Sequence, residues 1–334
     1  MPATPNEYSS RAADLIASAL VWENHCCMPF SDAELWMPQI ERYKAAGFDV
    51  VHVNIGDSDV PLDRMVRALA GFRSWLAKRA DEYVLVRSVA DVFRARQEGK
   101  LAVCFDIEGA QALARDTALI PMFYELGVRW LLVAYNRGNL VGAGCHDASD
   151  EGLTPFGREF MREMDRVGMI KDVAHTGFRT AMDVCEMSSV PVTISHSNPK
   201  ALKDHPRCVS DELMKACAAT GGVLGISGLS IFMGSEGDIV ANFVRSIEYS
   251  VETMGIDHVG IGLDYVFRSR HSEKSAVINR EIWPDGYGYG TSQFLAPEQI
   301  PSVVEALLAR GFREADVAKI LGGNFLRVAR EVWK

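Results

Sequence analysis

The feature that most constrains this chain is an alternation. Short, near-continuously apolar and β-branched runs recur along it, each followed by a turn and then by a stretch with helical periodicity. Strands read this way when both of their faces are covered, and the intervening amphipathic segments supply the cover. Eight such runs stand at 20–25, 48–55, 101–107, 128–135, 169–175, 190–196, 222–227 and 258–263. Helical segments fall between or after them, among them 61–79, 154–167, 211–219, 239–254 and 297–309. Eight parallel strands with crossover helices close into a (β/α)8 (TIM) barrel, whereas a doubly wound sheet has fewer strands and often a glycine-rich phosphate loop. Neither GxGxxG nor GxxxxGK[ST] occurs. With no repeat, linker or low-complexity tract, the 334 residues are expected to form one barrel domain. A bare barrel needs about 250 residues. The surplus fits an N-terminal arm or helix at 1–19, the loop at 136–152, a lid-like insert at 265–296 holding the aromatic, glycine-rich 283–290, and C-terminal helices at 297–334.

A barrel places its chemistry at the carboxyl ends of the strands. Polar residues gather there. His25 closes the first run, Glu108 follows the third, Tyr135 and Asn136 end the fourth, His175 and His196 end the fifth and sixth, and Asp264 follows the eighth. A single histidine in a core strand is usually a packed residue with one hydrogen bond, and His52 and His258 are read so. Five imidazoles and carboxylates at one end of different strands form instead a ligand set for Zn²⁺ or a similar ion. Glu108, before Gly109, is the natural bridge between two ions. Such a pair would activate water and polarise a scissile carbonyl, with Asp264 able both to ligate and to accept the proton of the attacking water.

Charge and cysteines bound the partners and the compartment. The formal charge of −9 and the absence of a basic run exclude a nucleic-acid partner. The first twenty residues carry no basic stretch leading into an apolar run, and no apolar window reaches about 18 residues, so a cytoplasmic enzyme without membrane attachment is expected. Seven cysteines, the closest pair being the adjacent Cys26 and Cys27, give no disulfide framework; Cys104, Cys185, Cys208 and Cys217 are read as buried free thiols.

Five motifs in order, GLTPFGREFMREMDRVGMIKDVAH (152–175), PVTISHS (191–197), HPR (205–207), VGIGLD (259–264) and ILGGNFLR (320–327), resemble the membrane (renal) dipeptidase family of zinc peptidases, as a divergent bacterial-type member. The resemblance runs from about residue 20 to 332. It implies a (β/α)8 barrel with a binuclear zinc centre that hydrolyses dipeptides and related amides. Carried over by motif, Glu108 is the bridging carboxylate, His175 and His196 complete one site, His25 and Asp264 serve the other, and Arg207 binds the substrate's terminal carboxylate. Two departures follow. The family's His-x-Asp stands here as His25-Cys26-Cys27, so that Cys27 either ligates zinc as a thiolate or is a passive core residue, with one or two zinc ions per chain accordingly. The family's histidine after the fourth strand is here Tyr135, a phenol able to donate to an oxyanion. Asn136 and His146 are expected to face substrate, and a homodimer follows by analogy.

The expected function is therefore hydrolysis of a dipeptide, or a similar small amide with a free carboxylate, by metal-activated water. Two alternatives stand beside it. One is a mononuclear amidohydrolase acting on a non-peptide amide, lactam or cyclic imide; the other is a non-catalytic descendant that only binds metal or ligand.

Overall fold

A computed structural model of the chain describes residues 9–113, 115–234, 237–267, 281, 283–284 and 292–334. The expected insert falls largely outside these, including Arg268, Arg270, His271 and most of 283–290, as do the first eight residues of the arm. The rest of the arm is a helix, Ser10–Ser18, capped by the Ser9 hydroxyl accepting from Ala12.

The strands are β1 (Trp22–Cys27), β2 (Val50–Asp57), β3 (Tyr83–Leu85), β4 (Leu101–Glu108), β5 (Val128–Leu132), β6 (Ile170–Asp172), β7 (Thr193–Ser197), β8 (Val223–Ile226), β9 (Val259–Ile261) and β10 (Tyr265–Val266). Every pairing is parallel, in the order β10-β1-β2-β4-β5-β6-β7-β8-β9. β9 falls within the last expected strand, whereas β10 lies past it, in the stretch expected as insert; β10 pairs with β1, so the sheet closes on itself as a (β/α)8 barrel. The extra strand β3 is only three residues long and pairs with the first half of β4, where β5 has not yet begun.

Local sequence explains the elements that deliver the site. Helix Pro155–Val167 begins where Thr154 caps Gly157 and Pro155 fills the first turn, and ends at Gly168 in the left-handed conformation. Its Phe160, Met161, Met164 and Val167, spaced by one, three and three, are buried on the barrel. The next residues run directly into β6 and on to His175.

Closure at the seam uses a side chain. Glu23, fully buried in β1, accepts from the backbone N–H of His25 at 2.9 Å and of Leu263 at 2.8 Å. A side-chain carboxyl oxygen thereby replaces the carbonyl that a regular ladder would offer between the first and last strands. Burial raises its pKa to about 8, which keeps the group protonated at neutral pH.

Candidate metal centre

Strand register is broken where the expected ligands stand. Between Glu23 and Cys26 of β1 lie three residue steps against two on β2, from Val51 to Val53, and β7 shows the same surplus between Ile194 and Ser197 against Leu224 to Ile226 on β8. Such bulges re-aim side chains near sites; here they fall at His25 and His196. Beyond glycine, the described residues with left-handed backbone are Asn136 (φ 59°), His175 (φ 57°) and Asp264 (φ 55°). All three were expected at the site, and each conformation costs roughly 1–3 kcal/mol that the surrounding packing must offset. Gly109, at φ 116°, provides the expected sharp turn after Glu108.

The donor atoms converge. Glu108 Oε1 lies 3.3 Å from His25 Nε2, 3.4 Å from His175 Nε2 and 3.2 Å from His196 Nε2. Asp264 Oδ1 stands 3.9 Å from His25 Nε2. Cys27 Sγ lies 3.1 Å from His25 Nε2, 3.9 Å from Glu108 Oε2 and 4.0 Å from Asp264 Oδ1. Three overlapping groups with ligand atoms within 4.8 Å of one another result: His25, His196 and Asp264; His25, Cys27 and Glu108; and Glu108, His175 and His196.

Each imidazole turns Nε2 inward and gives Nδ1 to a protein partner. His25 Nδ1 meets the buried Asp106 at 3.3 Å, and His175 Nδ1 meets the Asn136 carboxamide oxygen at 2.7 Å. His196 Nδ1 meets the Ser195 hydroxyl at 2.8 Å, which itself donates to Asp172 at 2.9 Å. These partners place the proton on Nδ1 of His175 and His196 and leave the Nε2 lone pairs facing one another, 2.9 Å apart, against a carboxylate. That is a repulsive arrangement for bare side chains and a binding one around a cation. The electrostatics agree at two of the imidazoles; at His25 burial is outweighed by Cys27, Glu108 and Asp106, which raise its pKa. Burial, with Arg207 nearby, lowers the pKa of His175 to about 3, and burial depresses His196 as well, so both are neutral. Burial opposes ionisation of Glu108, yet the three imidazoles outweigh it and hold the carboxyl well below its usual range. Neutral imidazole and ionised carboxylate are the forms that bind metal.

Arg207 lies on the adjacent wall, 2 % exposed, with one Nη donating to the His196 carbonyl at 2.9 Å. Its Nε and other Nη are buried without a hydrogen-bond partner, and among the described residues no carboxylate pairs with it. Arg207 and His175 both line a cavity of about 710 Å³, together with Cys145, Phe178, Lys200 and Ser210. Tyr135 stacks on His175 with ring centroids 4.3 Å apart and is met edge-on by Trp283. Asn136 is fully buried; its side-chain oxygen meets the His175 ring and also accepts from the Cys145 thiol at 3.6 Å, while its backbone carbonyl accepts from the His146 N–H. His146 packs its ring edge-on to His205, and both imidazoles are lowered to about 4, chiefly by burial. His52 is the expected core histidine, stacked on Trp22, and His258 bonds the Gly222 carbonyl.

Sequence reasoning missed the orienting residues. Asp172, Ser195 and Glu23 lie inside the expected strands 169–175, 190–196 and 20–25 and are not singled out there; the faint signal is a polar residue within a strand expected to be covered on both faces. All seven cysteines are free. Among the described residues no helix is long and apolar enough to cross a membrane.

The geometry has counterparts. Dipeptidase tcpJ of Claviceps purpurea (strain 20.1) is 29% identical over 287 residues, covering 85% of this chain and 61% of that protein, so the chain spans about three fifths of that relative's length. A protein from the pqqA 5′ region of Klebsiella pneumoniae is 27% identical, covering 82% of this chain and 98% of its own. Among solved structures, an amidohydrolase from Pseudomonas aeruginosa superposes with a TM-score of 0.87 at 28% identity, over 96% of this chain and 99% of that one. The sequence pattern of the membrane dipeptidases matches residues 49–274, well over half of the chain, which therefore belongs to that family, peptidase family M19.

Proposed function

We propose that the protein hydrolyses dipeptides, with zinc as the metal and two ions per chain. His25, Glu108 and Asp264 would hold one ion; Glu108, His175 and His196 would hold the other. The carrying observation is the buried guanidinium of Arg207, whose two unpartnered donors share a cavity wall with His175. A buried cation with spare donors calls for an anion, and a planar fork suits a carboxylate. Bound metal would supply a water acidified for attack and polarise the scissile carbonyl.

The chain's own residues do the rest. Arg207 fixes the substrate's terminal carboxylate and with it the distance to the centre. Asp264, whose side chain is 14% exposed against 5% or less for Glu108 and the three imidazoles, is the most open of these donors. It accepts a proton from the attacking water and returns one to the amine nitrogen as the carbon–nitrogen bond breaks. The phenol of Tyr135 donates to the carbonyl oxygen as charge builds there. Seven free thiols suit a reducing compartment, and we place the enzyme in the cytoplasm.

The test is a panel of dipeptides, free and carboxyl-amidated, against purified protein with and without added zinc. Zinc-dependent release of amino acids from free dipeptides, with amidated ones spared, is the expected result. Failure to cleave any dipeptide at full metal loading would sink the reading.

A further inference from the structure

Cys27 has no task in the reaction above, yet it stands inside the cluster. His25 and Cys27 are two apart on β1 and so point to the same side, unlike the other five cysteines beyond Cys26, none of which shares a donor group with the imidazoles. Cys27 Sγ lies 3.1 Å from His25 Nε2, 3.9 Å from Glu108 Oε2 and 4.0 Å from Asp264 Oδ1, and His25 Nε2 lies 3.3 Å from Glu108 Oε1 and 3.9 Å from Asp264 Oδ1, so that Glu108 turns one oxygen to the ring and the other to the sulfur. Ligand bonds of about 2.0–2.3 Å in a tetrahedron give edges of roughly 3.3–3.6 Å. The measured edges straddle that range. For an inert thiol the arrangement is poor, since two carboxylate oxygens and an imidazole nitrogen would surround a sulfur with one weak proton to offer.

We infer that Cys27 ligates the first cation as a thiolate, making that half of the centre a cage of one nitrogen, one sulfur and two carboxylate oxygens. This rests on the reading that cations occupy the cluster. A coordinating thiol gives up its proton to solvent when a divalent cation binds, so the ligand form is the thiolate. The sulfur also sets metal preference: a soft ligand favours Zn²⁺, Co²⁺ and Cd²⁺ over Mg²⁺ and Mn²⁺, and donates more charge than an oxygen would.

The experiment uses full-length protein stripped with a chelator and reloaded with Co²⁺. A sulfur-to-cobalt charge-transfer band in the near ultraviolet is expected in wild type and in Cys185→Ser, and its loss in Cys27→Ser. Cys27→Asp, which keeps an anionic donor of similar reach, should bind the same number of ions without the band, so that a misfolded serine variant does not decide the matter. Alkylation followed by mass spectrometry supplies a second readout, with Cys27 modified in stripped protein and protected once Cd²⁺ is bound. Cobalt uptake with no band, and Cys27 alkylated equally with and without Cd²⁺, would overturn the thiolate ligand while leaving the metal centre standing. No cation uptake at all would overturn both.

Discussion

Arg207 and Ser195 carry the sharpest residue-scale expectations. Removing the guanidinium by Arg207→Met forfeits charge-assisted hydrogen bonds worth about 1.5–3 kcal/mol, or roughly 10- to 150-fold in kcat/KM at 1.36 kcal/mol per decade. The loss should appear mostly in KM for free dipeptides, because in the proposed binding mode the residue holds the substrate end that does not react. An unchanged KM would remove Arg207 from the binding site. Lysine should not rescue, since it offers no fork. Ser195→Ala leaves His196 Nδ1 without its acceptor and cuts the link to Asp172. Partners of this kind are worth about 10- to 100-fold in metal affinity, measurable by competition with a chromophoric chelator. Equal affinity in the variant would show that packing alone orients the ring.

At the scale of elements, the loop after β4 is a close turn beside the site. Gly109 sits at φ 116°, and a Cβ there would come within 3.1 Å of Tyr135 Cβ. Gly109→Ala should cost roughly 1–3 kcal/mol in urea unfolding and displace Tyr135; a cost near zero would mean that the turn relaxes freely. Why the barrel could be read from sequence also belongs here. Strands covered on both faces leave long apolar runs, and those runs end at polar residues on the open rim, so ligands and strand ends announce each other. β3 left no such mark, because three residues of Tyr-Val-Leu resemble the end of any helix-to-strand turn. β10 was hidden differently: the last strand breaks at Gly262, Leu263 and Asp264, and the break hands closure of the barrel to two residues past it. The orienting layer was invisible for a further reason. Asp172 on β6 acts on Thr193 and Ser195 of β7, and that pairing exists only once the two strands are in register, with Asp172 opposite Thr193.

For the whole molecule, stability should depend on both pH and metal. His52 is buried in β2 with neither ring nitrogen hydrogen-bonded, and burial first, then His25, depresses its pKa well below 6.5. The unfolded chain therefore binds a proton below about pH 6.5 that the folded chain refuses. Stability from this residue is present above that pH and lost as pH falls through it, by up to about 1.4 kcal/mol per unit. His52→Phe keeps the stack on Trp22 without the nitrogens, so its stability curve should diverge above that of wild type on the acid side; parallel curves would clear His52. Chelation should lower Tm, and added zinc should raise it with the logarithm of free concentration, because an ion bound only by the folded state stabilises it by mass action. A Tm indifferent to zinc would mean that no folded-state site exists.

The barrel's seam gives the centre a second meaning. His25 and Cys27 come from the first strand and Asp264 from the last, while the ladder between those strands is thin: Glu23 bridges to Leu263, Asp264 bonds His25, and Phe267 bonds Cys27. An ion gripped by residues on both sides is then a clasp across the join. During synthesis the early ligands must wait until residue 264 has left the ribosome, so metal can lock only a nearly finished ring. Hydrogen exchange should record this, with the amides of Asp264 and Phe267 opening faster in stripped protein while those in the middle of β4 keep their protection.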